Sequence, residues 1–178
     1  MPLRSATIVA EPTDFRFAGL PATVGAMPDA SDDLHVRMTR AFARGVPHNL
    51  ALGIRILDVS PTEASFELPY DARLVGNPET GTLHGGAITA LLDACAGAAV
   101  FAALPSLVPI ATLDLRIDYL KPAAPGKPVI GKASCYKMTR NVAFTRGVAY
   151  QDDPSNVIAH SVGTFMLSTK MGKVGTAP

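Results

Sequence analysis

Two features of this chain carry residue types fit for chemistry: the run His84-Gly85-Gly86, and a lone carboxylate, Asp93, nine residues further on. Asp93 is the single charge in residues 87–104, a segment otherwise made of small, aliphatic and aromatic residues. A carboxylate in such surroundings is costly unless it is paired or put to use as a base or nucleophile. The glycine pair falls where a helix should begin. The first N–H groups of a helix lack internal partners and carry the positive end of its dipole, so they can hold a carbonyl oxygen or an anion. Two glycines keep that approach clear of side chains. By itself the glycine pair also reads as a flexible helix start; Asp93 is what makes it a candidate site. A carboxylate facing such N–H groups suits hydrolysis of an activated acyl group. The N–H groups stabilise the developing oxyanion while the carboxylate activates water or attacks directly.

Spacing sets a condition on that chemistry. Nine residues of helix span roughly 13 Å along the axis, so His84 and Asp93 of one chain cannot share a site. If they cooperate, two copies of the helix must lie side by side and antiparallel, and two-fold symmetry then generates two identical composite sites. Cooperation therefore predicts a homodimer.

Other chemistries lack their residues. There is no GxSxG and no Cys beside a His partner, so Ser and Cys nucleophiles are not expected. No HExxH or Cys/His cluster suggests a metal, and no cofactor is expected. Cys95 lies about 200° round the helix from Asp93 and reads as a buried small apolar residue. Cys95 and Cys135 form no CxxC pair, which suits a reduced, cytoplasmic setting. His35, His48 and His160 have no ligand partners at useful spacing and read as structural or solvated.

Sixteen Lys and Arg against fifteen Asp and Glu give no charge excess that calls for a nucleic-acid or membrane-surface partner. The start has no apolar run of the signal-peptide kind. Residues 85–104 are long enough to cross a bilayer, but they are rich in Ala and Gly, and Asp93 near the middle would cost about 2.5–3.5 kcal/mol to insert. A helix buried by its own protein is expected instead, because its apolar residues cover every face.

The elements around this helix follow from pattern. Within the 178 residues, 1–30 carry four prolines and no persistent period and read as a flexible tail. Residues 31–169 form one domain, and 170–178 a second tail. A short amphipathic helix is expected after Ser31, stopped by Gly45 and Pro47. Two alternating runs in 52–70 read as a hairpin. After the helix come four β-rich runs, 111–120, 129–140, 142–151 and 157–168, which read as an antiparallel meander. In the first, Leu113, Leu115, Ile117 and Tyr119 fall on one face and Thr112, Asp114, Arg116 and Asp118 on the other. The whole is α+β: a sheet curling around one long helix.

The set Asn77, Gly81, His84-Gly85-Gly86 and Asp93, followed by ATLDLRIDYLKPA and VIAHSVGTFML, closely resembles the hotdog-fold acyl-CoA thioesterases of the PaaI-like, phenylacetate-pathway type, over about residues 46–168. The resemblance implies a hotdog fold, with a long central helix wrapped by a curved antiparallel sheet. It implies a homodimer that often pairs into a tetramer, with the site at the dimer interface and acyl-CoA as substrate. Asp93 would be nucleophile or general base, the Gly85 N–H would polarise the thioester carbonyl, and Asn77 and His84 would position water and substrate. Thr112 stands where the family commonly has Ser or Thr near the attacking water. Gly86, Lys137 and Arg140 are candidate substrate contacts, the two cations for a CoA phosphate. Asn77 stands seven residues before His84 rather than the usual six, with Pro78 between. Small or medium-chain acyl-CoA, aryl-acyl included, is the expected substrate. The alternatives on the same fold are a non-catalytic acyl-CoA binding or sensing module and a dehydratase. The second lacks the His-to-acid spacing of those enzymes.

Overall fold

The computed structural model describes residues 45–106 and 108–167; the two expected tails and the helix expected after Ser31 lie outside them. A short helix, α1 (Pro47–Ala51), starts with proline at its first position, where the missing N–H is no loss. The hairpin β1 (Arg55–Ser60) and β2 (Glu63–Leu68) follows, as the alternation predicts. A 3-10 turn (Ala72–Leu74) and a small ribbon, β3 (Val75–Asn77) with β4 (Thr82–Leu83), lead into the long helix α2 (Gly85–Ala103). Four strands complete the fold: β5 (Ile110–Tyr119), β6 (Val129–Met138), β7 (Val142–Tyr150) and β8 (Ala159–Leu167).

α2 is helical because it is Ala-rich and free of proline, and its end is stopped at Leu104, one residue before Pro105. It has the length and hydropathy of a membrane span, yet 61% of its most apolar window is buried, because it is the core of the fold. Twelve of its nineteen residues are buried. Small residues on the sheet make this close seat possible. Gly131, Ala133, Ala143, Gly147, Ala149 and Gly163 line the inner face, with Phe66, Leu68 and Phe165 closing it. Each large side chain so buried contributes about 1.5–3 kcal/mol.

The burial of α2 is not uniform. Gly86, Thr89, Ala90 and Asp93, at helical spacing, form a stripe along its first half that stays partly open. The expectation of an all-round buried helix is corrected there: Asp93 is half-buried, and the single chain leaves its face of the helix uncovered.

All six strands of the main sheet pair antiparallel, in the order β1-β2-β6-β7-β8-β5. The single meander expected after the helix is thus corrected. β6, β7 and β8 are sequential neighbours, but β5 pairs with β8 at the far edge, and β6 pairs with β2. The three later strands fill the interval between β2 and β5, which is how the sheet comes to wrap the helix. Alternation within a strand says which face is buried, not which strand lies beside it.

β5 holds a second correction. Its register with β8 slips between Thr112 and Asp114, so Leu113 is the extra residue of a bulge. Beyond the bulge, Leu115, Ile117 and Tyr119 pair with the inward Gly163, Ser161 and Ala159; before it, Thr112 pairs with the inward Phe165. Strict alternation put Thr112 on the face opposite Leu115. The bulge puts both toward α2 and leaves Leu113 56% exposed.

Candidate active site

The start of α2 is where the backbone donors can be followed one by one. His84 is the N-cap, in extended conformation. Its own N–H donates to the Leu74 carbonyl at 2.8 Å, and the Ala87 N–H donates back to the His84 carbonyl at 3.0 Å. The Gly86 N–H donates to His84 Nδ1 at 2.9 Å. Of the four donors that a helix start leaves without intrahelical partners, only the Gly85 N–H has no acceptor among the described residues. It sits at the positive end of a nineteen-residue helix. With Nδ1 accepting, the neutral His84 ring carries its proton on Nε2, leaving that N–H to donate outward.

The glycines are occupied rather than empty. A Cβ on Gly86 would lie 2.9 Å from His84 Nδ1, and one on Gly76 2.8 Å from His84 Cα. On Gly85 it would meet Tyr119 Oη at 3.1 Å and Cζ at 3.2 Å. The expectation that two glycines clear the way for substrate is therefore incomplete, since His84 and Tyr119 fill the space. Tyr119 Oη also donates to the Gly85 carbonyl at 2.5 Å and lies 2.8 Å from Thr89 Oγ1.

Asp93 lies eight residues from Gly85, roughly 12 Å along the axis. It is held by Thr112, whose Oγ1 donates to Asp93 Oδ1 at 2.9 Å. Oδ2 has no hydrogen-bond partner among the described residues, and Asp93 lies on the partly open stripe. The β5 bulge makes this contact.

Other candidates stand apart. Asn77 Oδ1 accepts the Glu79 N–H at 3.0 Å, and the Asn77 carbonyl accepts the Gly81 N–H at 2.9 Å, where Gly81 takes a φ of 71°. The Asn77 side chain so closes its own exposed turn. Lys137 and Arg140 are exposed and have no ion pair among the described residues. The inward row Thr112–Phe165–Ala143–Met138 runs across the sheet to them, three strand spacings or about 14 Å. They occupy the same end of the sheet as Asp93, not that of Gly85.

Two grooves flank the helix start. One, about 280 Å³, is lined by Leu83, Gly85, Ile88, Tyr119, Lys121 and Ala123 among others. The other, about 290 Å³, has His48, Leu52, Leu74, Val75, His84 and Ala87 in its walls. Cys95 takes no part: it is fully buried, its Sγ donates to the Gly131 carbonyl at 3.3 Å, and burial holds its thiol far above the ordinary range. His160 is exposed on the outer face of the sheet, opposite Asp118. Tyr119 and Thr89 were not legible as site residues. Tyr119 fits the apolar alternation of its strand, and nothing in the sequence says where its hydroxyl points.

Residues 80–158 match the family model of the thioesterase superfamily. A crystal structure of a Pseudomonas aeruginosa protein is 46% identical, covering 76% of this chain and 100% of that one with a TM-score of 0.69. The chain belongs to the thioesterase superfamily. Thioester hydrolysis is the chemistry that this membership assigns to it, and its fold is the hotdog fold. The medium/long-chain acyl-CoA thioesterase YigI of Escherichia coli is 27% identical over 139 residues, which is 71% of this thioesterase-superfamily chain and 88% of YigI. A mutant of the phenylacetic acid degradation protein PaaI from Thermus thermophilus is 27% identical, covering 69% of this chain and 100% of that one, with a TM-score of 0.61. A Halobacterium salinarum protein named only provisionally as an esterase is 40% identical over 75 residues, 40% of this chain and half of that protein's length.

Proposed function

We propose that this thioesterase-superfamily protein hydrolyses small or medium-chain acyl-CoA, aryl-acyl esters included, in two composite sites of a homodimer. The observation that carries the reading is the Gly85 N–H, which has no acceptor among the described residues, together with a half-buried carboxylate oriented by Thr112. The two are too far apart to act on one carbonyl within a chain. A second copy with its α2 antiparallel, joined along the open Gly86–Thr89–Ala90–Asp93 stripe, brings Asp93 of one protomer to the Gly85 of its partner. Pairing of such dimers into a tetramer belongs to the same reading.

In each site the thioester carbonyl oxygen lies on the Gly85 N–H, with His84 Nε2–H as a second donor within reach. Asp93 takes a proton from water as the water oxygen adds to the carbonyl carbon, or its own oxygen adds to give a mixed anhydride that water then opens. Either way the negative charge gathers on the oxygen held at the helix N-terminus. Collapse breaks the carbon–sulfur bond, and the CoA thiolate leaves and takes up a proton, giving free acid and CoA. Thr112 keeps one Asp93 oxygen occupied, so that the other faces the reacting atoms. Lys137 and Arg140 supply the positive charge that the nucleotide phosphates of CoA need, and the Gly86 backbone borders the bound acyl group. No cofactor enters these steps. The two unpaired, buried cysteines suit a cytoplasmic, reducing setting.

The relatives' names agree with this substrate class: YigI is a medium/long-chain acyl-CoA thioesterase, and PaaI a phenylacetic acid degradation protein. The test is release of free thiol from a panel of acetyl-, hexanoyl-, decanoyl- and phenylacetyl-CoA by wild type and Asp93→Asn. Turnover of at least one ester, lost in the variant, is expected. An Asp93→Asn protein as fast as wild type would remove Asp93 from the mechanism, and a wild type inert on every ester would remove the reading itself.

A further inference from the structure

We infer that Tyr119 is a positioning residue of the thioesterase site, acting through the Gly85–Gly86 peptide. The inference rests on the functional reading above. That peptide is held at both ends: its carbonyl accepts the Tyr119 hydroxyl at 2.5 Å, and its N–H donates to His84 Nδ1 at 2.9 Å. A peptide unit is planar, so fixing both ends fixes its plane. The Gly85 N–H lies on the adjoining peptide, separated from this one by the φ and ψ rotations of Gly85. At a glycine these rotations are soft, because no Cβ restricts them. The clamp from Tyr119 and His84 supplies the restraint that the side chain does not.

The chain of hydroxyls adds direction. Tyr119 gives its only proton to the Gly85 carbonyl, so at 2.8 Å it accepts the proton of Thr89 Oγ1. Thr89, Tyr119 and the Gly85 carbonyl therefore form a line of hydrogen bonds in which each polarises the next. The ring also seals the position sterically, since only glycine fits beneath Oη without displacing it.

Ordinary core packing does not account for this placement. Tyr119 is 47% exposed, on an edge strand, and forms the wall of the groove that ends on Gly85. A residue serving stability alone would be expected deeper. Phenylalanine at 119 keeps the ring and removes only the hydroxyl, which makes it the informative change.

The experiment compares wild type, Tyr119→Phe and Thr89→Val for kcat and KM on the best acyl-CoA ester, for melting temperature, and for affinity toward a non-hydrolysable CoA thioether. Loss of a direct oxyanion donor costs about 10²–10³ in kcat, and loss of its positioning hydroxyl is expected to cost about tenfold. KM and thioether affinity should stay within about twofold, since the interaction strengthens only as charge develops. Thr89→Val leaves the ring untouched and should lower kcat by about threefold. It decides the matter if Tyr119→Phe fails to fold. A kcat within twofold of wild type in folded Tyr119→Phe, or a fall matched by an equal loss of thioether affinity, overturns the inference. A wild type that turns over and an inactive Asp93→Asn would meanwhile leave the functional reading standing.

Discussion

A composite site can be tested by breaking its two halves in different chains. Asp93→Asn removes the base while keeping an oxygen for Thr112 to bond. Gly85→Pro removes the free N–H, and the local geometry admits it. The position is the first of the helix, where proline is favoured, and His84 has φ −64° and ψ 133°, the extended conformation that a residue before proline prefers. The new Cβ lies 3.1 Å from the Tyr119 hydroxyl, a half-exposed side chain able to shift by a few tenths of an ångström. Each variant alone should lose about 10²–10³ in kcat. Mixed in equal amounts with subunit exchange, half of the dimers are heterodimers. Each of these has one site with Gly85 from one chain and Asp93 from the other, both intact, and one site with neither. About a quarter of wild-type activity should therefore return. The assay is thiol release from acyl-CoA, with exchange verified by differently tagged chains. If heterodimers form and activity stays at the average of the two parents, the two groups do not meet across an interface, and the spacing argument fails.

Thr112→Val should lower kcat about tenfold with a melting temperature close to wild type, because Thr112 is exposed and its hydroxyl serves Asp93; steady-state kinetics with a thermal melt checks both. Lys137→Ala and Arg140→Ala should raise KM for acyl-CoA by about two- to fivefold, as exposed charges do. They should leave turnover of the matching acyl-pantetheine, which lacks the nucleotide, unaffected. Gly131→Ala should destabilise the fold by about 1–3 kcal/mol by overpacking, since its Cβ would lie 2.9 Å from both Cys95 Sγ and Leu91 Cγ, deep in the core. Chemical denaturation measures it, and an unchanged midpoint would show that the core yields at that point.

What the sequence disclosed was what local pattern encodes. α2 was legible because a long proline-free apolar run allows little else, and the Gly85-to-Asp93 spacing is fixed once that run is helical. The β1–β2 hairpin followed from alternation. The place of β5 did not, because the pairing of distant strands depends on where the helix lies. Thr112 was recognised only through the family resemblance. Its residue-level reading put it on the wrong face, since the extra residue Leu113 leaves no mark on composition. Tyr119 reads from the sequence as one member of its strand's apolar face, and its hydroxyl acquires meaning only when the bulged strand crosses the helix start.

The filled glycine cradle also bears on how this scaffold could be re-targeted. At Gly76 and Gly86 a single added carbon meets the backbone or ring of His84 under 3.0 Å, so variation there breaks the turn before it alters selectivity. The flanking grooves are built differently, from side chains such as Leu52, Leu74 and Val75 on one side and Leu83 and Ala123 on the other. A library aimed at new acyl groups gains by holding the three glycines fixed and varying those walls. The fold separates what must stay constant from what selection is free to explore.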